Sequence, residues 1–361
     1  MPKIRIREKD MTAGTASYDN ENIIFLVDKA ATEIPVLLDS TSDVKNYDKA
    51  VADIISFGGK VVVCDSYENA KAYLKDRNQF NIKLLMVNED TGDSPTHADL
   101  DDAVEIATSR RDCAVVYSKT TETYSKEELA ILNKGVGGDS FMSAETKNYA
   151  GKYVLPFYGK NLTKGEAGLG YVLAFLNVGN STGAEWLAVA GSKRGVIPGK
   201  TLEVGFLTED EIDKMQSRTP EPEKPVTAIN PIVNMNPWGV RIWGNRTALT
   251  LPTAEGDTDL VASSFANIRI LICDIKKALY QAARTCQFEQ NSDILWVNFT
   301  SQVNILLEQM KQSYGIAAYR WIREETTERA KIKAILRIVP IEAVEDFDLT
   351  VELADSLEVA E

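Results

Sequence analysis

From residue 43 onward, the apolar positions alternate between stretches with a period of about 3.6 and short continuous runs, as expected of helices alternating with buried strands. Residues 43–57 carry the helical period and stop at Gly58-Gly59. Lys60–Cys64, Ile82–Val87 and Cys113–Tyr117 read as strands, with helices over 66–80 and 96–109 between them. Ser125-Lys-Glu-Glu128 has the form of a capping box opening a further helix. Lys152–Tyr158 reads as a strand and 166–178 as a helix rich in small residues. The βαβ rhythm predicts an α/β fold with a mainly parallel sheet covered by helices.

Five of the twelve prolines fall between Thr219 and Trp238, and such a stretch suits neither a continuous helix nor a central strand. A domain boundary is expected there. The chain would then divide into an outer α/β domain over 19–218, a linker over 219–237 and an α+β domain over 238–344, with terminal arms at 1–18 and 345–361. In the second domain Gly239–Trp243 reads as a strand. Ile268, Leu271, Ile272, Ile275, Leu279 and Ala282 form one helical stripe; Leu295, Phe299, Val303, Leu306 and Met310 form another. Residues 317–323 and 334–339 read as strands.

Composition then removes several chemistries. His97 is the one histidine in 361 residues, so a triad, a Cys-His dyad or a multi-histidine metal site would rest on it alone. It is expected to be an exposed loop residue. Cys64, Cys113, Cys273 and Cys286 lack metal-ligand spacing and read as reduced thiols. Gly195-Val-Ile-Pro-Gly199-Lys200-Thr201 resembles the end of a phosphate-binding loop. It has three residues between its glycines where that motif has four, and Pro198 removes an amide donor. Gly135-Val-Gly-Gly138 follows a helix rather than a strand, and Asp99, Asp101 and Asp102 read as a solvated helix start. No catalytic, metal-binding or cofactor-binding constellation emerges. No apolar run is long enough to cross a membrane as a helix, and the first residues lack the apolar core of a signal peptide.

Charge is unevenly placed. The net value is −13, and the last twenty-one residues hold eight acidic residues with no lysine or arginine. An acidic chain without a basic stripe argues against nucleic acid as a partner. At the other end, alternation places Lys3, Arg5 and Arg7 on one face of a strand and Ile4 and Ile6 on the other. Near the C-terminus, Asp346, Asp348, Thr350 and Glu352 share one face, and Phe347, Leu349, Val351 and Leu353 the opposite one. Two terminal strands of opposite charge, each with an apolar face, are suited to adding a strand to a neighbour's sheet. Pairing within one chain is the equal alternative. Pairing between chains would be head-to-tail, and so would produce rings or helical polymers.

Several stretches in order resemble the tail sheath proteins of contractile phages and related injection machines. They are Tyr153-Val-Leu-Pro-Phe-Tyr158; Gly183-Ala-Glu-Trp-Leu-Ala-Val-Ala-Gly191, with Val189 where the family has proline; Asn236-Pro-Trp-Gly-Val-Arg-Ile-Trp-Gly-Asn-Arg-Thr247; Asn267-Ile-Arg-Ile-Leu271 through Phe288-Glu-Gln-Asn291 and Leu295-Trp296; and Val339-Pro-Ile-Glu-Ala-Val-Glu-Asp-Phe347. The resemblance spans roughly residues 150–353. It implies a structural, non-enzymatic subunit of a helical homopolymer around a tail tube, capped by baseplate and terminator proteins, without cofactor, nucleic acid or direct membrane insertion. Contraction of the sheath would drive the tube through a target envelope, with the terminal arms linking neighbours by strand exchange. The implied place is a virion tail sheath assembled in the host cytoplasm, with a bacteriocin-like or secretion-type sheath as the alternative. A cytosolic α/β nucleotide-binding enzyme using the strand ends of 60–118 is the remaining rival. The family places its C-terminal domain inward, which makes Lys276, Lys277, Arg284 and Lys311 candidates for facing the tube.

Overall fold

The computed structural model describes residues 22–40, 44–92, 95–136, 149–216, 228–249, 262–326 and 331–343. Its centre is an eight-stranded sheet. In chain order the strands are β1 (Ile23–Val27), β2 (Val36–Leu38), β3 (Lys60–Cys64), β4 (Ile82–Asn88), β5 (Ala114–Lys119), β6 (Val154–Tyr158), β7 (Asn230–Met235) and β8 (Gly239–Ile242). They lie side by side as β2-β3-β1-β4-β5-β6-β7-β8. The run β3-β1-β4-β5-β6-β7 is parallel, and β2 and β8 pair antiparallel at the two edges.

Alternation along each strand supplies both faces of this sheet with apolar side chains, as a sheet covered on both sides requires. Phe25, Val62, Val115, Tyr117 and Val154 enter one core, beneath α2 (Tyr67–Lys75), α3 (Ala98–Arg110) and α4 (Lys126–Leu132). Ile24, Val61, Val63, Val116 and Phe157 enter the other, beneath α1 (Lys49–Ser56) and α5 (Glu166–Thr182). Helix starts follow local chemistry. Asp48, Ser66 and Ser125 each accept a bond from a first-turn amide, and Ser125 with Glu128 forms the expected capping box.

The remainder of the chain forms a smaller α+β module. Beyond a short helix, α6 (Gly191–Arg194), and α7 (Glu209–Met215), two long helices follow: α8 (Ala266–Cys286) and α9 (Asp293–Gln312). They bury the expected stripes against each other, with Leu271, Ile275, Ala282, Val303, Leu306 and Met310 in a third core around Trp186. Gly315 ends α9 where a Cβ would stand 2.5 Å from Trp186 Cδ1, so only glycine lets the indole sit against this turn. β9 (Ile316–Glu324) and β10 (Lys333–Pro340) then form an antiparallel hairpin.

Three expectations need correction. Strands β1 and β2 lie ahead of residue 43, where the repeating pattern begins, although β1, with neighbours on both sides, is central to the sheet. The stretch 219–237 does not separate one sheet from another: its described portion contains β7, which pairs with β6 through Phe157↔Asn230 and Tyr158↔Pro231. Proline is tolerated near the start of such a strand, and Gly239–Ile242 closes this same sheet rather than opening a new one. The helix expected over 66–80 ends at Lys75, where Asp76 turns extended.

Candidate assembly surfaces

Buried charge fastens the α8–α9 module to the sheet. The register between β1 and β4 slips by one residue, Ile23↔Ile82 being followed by Ile24↔Leu84, and the extra residue is Lys83. Its ammonium lies 2.8 Å from Asp274 on α8 and also pairs with Glu185. Asn22 donates to the same Glu185 at 2.6 Å. Burial pushes the Asp274 carboxyl up; Lys83 opposes that shift and neighbouring Glu185 adds to it. One turn further along α8, Lys277 donates to Asn81 O (3.1 Å), Asn81 Oδ1 (2.6 Å) and Ile82 O (2.7 Å). Burial pushes its ammonium down to about 8.

A second buried network sits at the carboxyl ends of β4 and β5. Lys119 Nζ lies 2.6 Å from both Glu89 and Glu128, and Tyr117 OH donates to Glu128 at 2.6 Å. Burial alone would raise the Glu89 carboxyl. The Lys119 charge and the Thr120 and Thr121 hydroxyls outweigh it and hold the group below its usual range. His97 belongs to this wall. It is buried rather than exposed, with φ of 50° and Nε2 3.3 Å from Ser125 Oγ, because the α3 start packs under the loop that opens α4. The Lys119, Glu89, Glu128 and Tyr117 groups are enclosed and paired, and their arrangement serves rigidity; His97 Nδ1 is buried without a hydrogen-bond partner.

The segment Asn236–Thr247 is likewise structural. Fully buried Asn230 donates to Pro156 O and Arg246 O, both at 2.8 Å, and accepts from Arg246 N at 2.6 Å, locking this stretch to β6. The phosphate-loop look-alike is a turn in which Val196 bridges to Arg241 and Lys200 pairs with Asp53 at 3.2 Å. Asp101 and Asp102 pair with Lys134 and Lys71. Among the described residues, no group of three His, Cys, Asp or Glu is placed to hold a metal ion, and no helix is long and apolar enough to cross a membrane.

The hairpin differs in being open. One of its faces, with Tyr319, Trp321, Leu336 and Ile338, packs on α9. Trp321 meets Trp296 and Phe299 edge-on, each at 5.8 Å, and donates to Asn304 at 2.8 Å. The other face pairs Ile322 with Ile335 and Arg320 with Arg337. Among the described residues β9 and β10 pair only with each other. On α9, Ile294 and Ile305 are 74% and 66% exposed, on the side opposite Val303, Leu306 and Met310.

Of the candidate tube-facing cations, Arg284 and Lys311 are exposed and Lys276 is half-buried. Arg284 is engaged with Asn78 and stacks over Tyr280 at 5.9 Å. Lys277 leaves the set, since its stem and head are sunk between α8 and the start of β4. Periodicity cannot separate it from Lys276, because one step around a helix decides between solvent and core. The arm residues Lys3, Ile4, Arg5, Ile6, Arg7, Asp346, Phe347, Asp348, Leu349, Val351, Glu352 and Leu353 lie outside the described residues, as does the strand expected over 347–353.

No family model and no curated protein matches the sequence. The fold, in contrast, matches solved structures over nearly its whole length. The helical sheath of the anti-feeding prophage in its contracted state superposes with a TM-score of 0.65 at 15% identity, covering 97% of this chain and 98% of that one. The sheath complex of an extracellular contractile injection system, PVC, in its contracted state gives 0.64 at 15%, covering 99% and 98%. A chain of the anti-feeding prophage baseplate gives 0.64 at 14%, covering 98% and 99%. At these identities the likeness is one of fold.

Proposed function

We propose that this chain is the structural subunit of a contractile sheath that polymerises helically around a tube and shortens to drive that tube through a target envelope. The observation that carries this reading is the end-to-end likeness in fold to sheath subunits of contracted assemblies, covering 97% or more of both chains in each case. Of the two settings, an injection machine is favoured over a virion, because one of those similar assemblies is itself an extracellular contractile injection system.

The linking arms are residues 1–18 and 345–361, and the β9–β10 hairpin is their docking body. Two observations support this. The hairpin pairs with no further strand among the described residues, and Arg320 stands directly opposite Arg337. Like charges facing across a ladder are destabilising unless an acidic strand lies beside them. The acidic face of 346–352 has the charge complementary to Arg320 and Arg337, and an added strand in that orientation would turn Phe347, Leu349 and Val351 to the side of Trp321 and Leu336. Main-chain ladders of this kind survive rotation of the bodies they join, so contraction can be stored in a change of packing between globular parts. Tube, baseplate and terminator partners follow from the same reading, and Lys276, Arg284 and Lys311 remain its candidate tube contacts.

Electron microscopy of the purified chain tests the proposal. Tubes or rings are expected from the full chain, and folded, soluble monomers from variants lacking 1–10 or 345–361. Discrete particles from the full chain would refute the sheath reading. Long tubes from the truncated variants would refute the role of the arms alone.

A further inference from the structure

Two surfaces of this chain have the form of a matched pair. The first is the outward face of the β9–β10 ribbon. Alternation places Ala318, Arg320, Ile322 and Glu324 there from β9, and Lys333, Ile335, Arg337 and Val339 from β10. Its charges do not cancel. Lys333 pairs with Glu324 at 2.6 Å. Arg320 and Arg337, directly opposite each other and exposed, have no ion-pair partner among the described residues. Like charges across a ladder repel, so the pair favours carboxylates brought from outside. Ile322 and Ile335 lie one step along the same face, and Val339, 56% exposed, lies on the other side of the arginines. The terminal arms leave this balance as it is, since Lys3, Arg5 and Arg7 of one match Asp346, Asp348 and Glu352 of the other in number.

The second surface surrounds the start of α7. Gly205 N donates to Lys160 O at 2.7 Å and Lys160 Nζ pairs with Glu211 at 3.2 Å, so the loop ahead of α7 is held beside its first turn. Leu202 and Leu207 on that loop are buried, whereas Phe206 is 75% exposed. Glu209, Asp210 and Asp213 share the outer side of α7, opposite buried Met215. All three are exposed without an ion-pair partner among the described residues, and the neighbouring Lys214 is itself partnered. The spacings also agree. Side chains three apart on a helix hold their Cβ atoms about 5–6 Å apart, and residues directly opposite on an antiparallel ladder hold theirs about 4.5–5.5 Å apart.

We propose that these two surfaces meet between successive copies of the chain. Asp210 and Asp213 of one copy lie on Arg320 and Arg337 of the next, and Phe206 seats on Ile322 and Ile335. Such a contact uses a different patch on each copy, so it propagates head-to-tail instead of closing on a two-fold pair. It rests on the sheath reading for the polymer itself. It goes beyond that reading by giving the globular bodies a contact that the terminal arms do not make.

The test is assembly of the full chain, followed by light scattering and electron microscopy. A chain with Asp210→Lys and Asp213→Lys, and one with Arg320→Glu and Arg337→Glu, should each need about tenfold or more protein to form tubes. All four substitutions in one chain should recover part of that loss. Phe206→Ser should weaken assembly to a smaller degree. The substituted side chains are exposed, so circular dichroism of each variant should match the parent. Unchanged assembly in the aspartate variant overturns the contact, because the arms do not use those residues. Loss without recovery in the fourfold variant overturns the pairing and leaves the arginines to the acidic arm. Discrete particles from the parent would overturn both this contact and the sheath reading. Tubes from the parent together with unaltered tubes from the variants overturn the contact alone.

Discussion

The sheet body and the C-terminal hairpin module handle their polar groups in opposite ways. In the body, Lys119, Lys83, Arg110 and Asn230 are buried, and each is met by partners from neighbouring strands or helices. The hairpin has one face on α9, a cross-strand arginine pair on the other, and no further strand beside it among the described residues. A sheet layered on both faces can satisfy itself, whereas a two-stranded ribbon is marginal in water without a third strand or a covering surface. The difference teaches that the body satisfies its buried polar groups within itself, whereas the ribbon, among the described residues, leaves one face and both edges open.

The strongest way to break this comparison is to strip the body of a buried charge. Lys119→Met leaves Glu89 and Glu128 enclosed without their ammonium, and should cost about 3–5 kcal/mol in urea denaturation. A loss under about 1 kcal/mol would mean that water reaches the network and that the body is less closed than its geometry implies. Next comes the module. Trp321→Ala removes the ring shared by Trp296 and Phe299, and should loosen the ribbon by roughly 1–2 kcal/mol, less than a fully buried aromatic would cost. Hydrogen exchange should rise in β9 and β10 while β1, β4 and β5 stay protected. Equal loosening of both would make them one cooperative unit.

The smallest effect concerns the joint between the two. Lys277 titrates near 8 in the folded chain, against 10.5 for an unperturbed lysine. Between these values the folded chain binds fewer protons than the unfolded one, so this residue's contribution to stability grows as pH rises from about 8. Lys277→Met lacks that dependence. The stability difference between parent and variant should therefore move in the parent's favour with rising pH, as measured by denaturation below and above pH 8. A difference that stays flat would mean that Lys277 keeps its ordinary titration and that the joint is hydrated.

Much of the architecture was legible where a signal is local. The capping box at Ser125–Glu128, the strand at Lys60–Cys64 and the paired stripes of α8 and α9 each follow from spacing along a few residues. Strand β1 was equally readable in principle, since Ile23–Val27 is a continuous apolar run, but it stands apart from the repeating pattern that follows. Strand β7 was hidden by Pro231. A proline-rich stretch speaks against a strand only until the pairing is known, and here its register with Tyr158 accommodates the ring. The termini are legible as amphipathic and oppositely charged, and their role as arms stays a proposal; the open face of the hairpin, with Arg320 opposite Arg337, needed a register to be seen.

By itself the chain's pattern determined that strands and helices alternate, that both sheet faces are covered, and that the two ends carry opposite charge, because periods of two and about 3.6 and runs of like charge are properties of neighbours in sequence. Only the tertiary structure decided which lysines are buried, that the proline-rich stretch continues the sheet, and that His97 is enclosed. Each of these depends on which distant segment lies alongside, and a residue's own spacing carries no record of that. Lys276 and Lys277 make the point at adjacent positions: the first stays at the surface, while the second is drawn inward by the acceptors of Asn81 and Ile82, almost two hundred residues away.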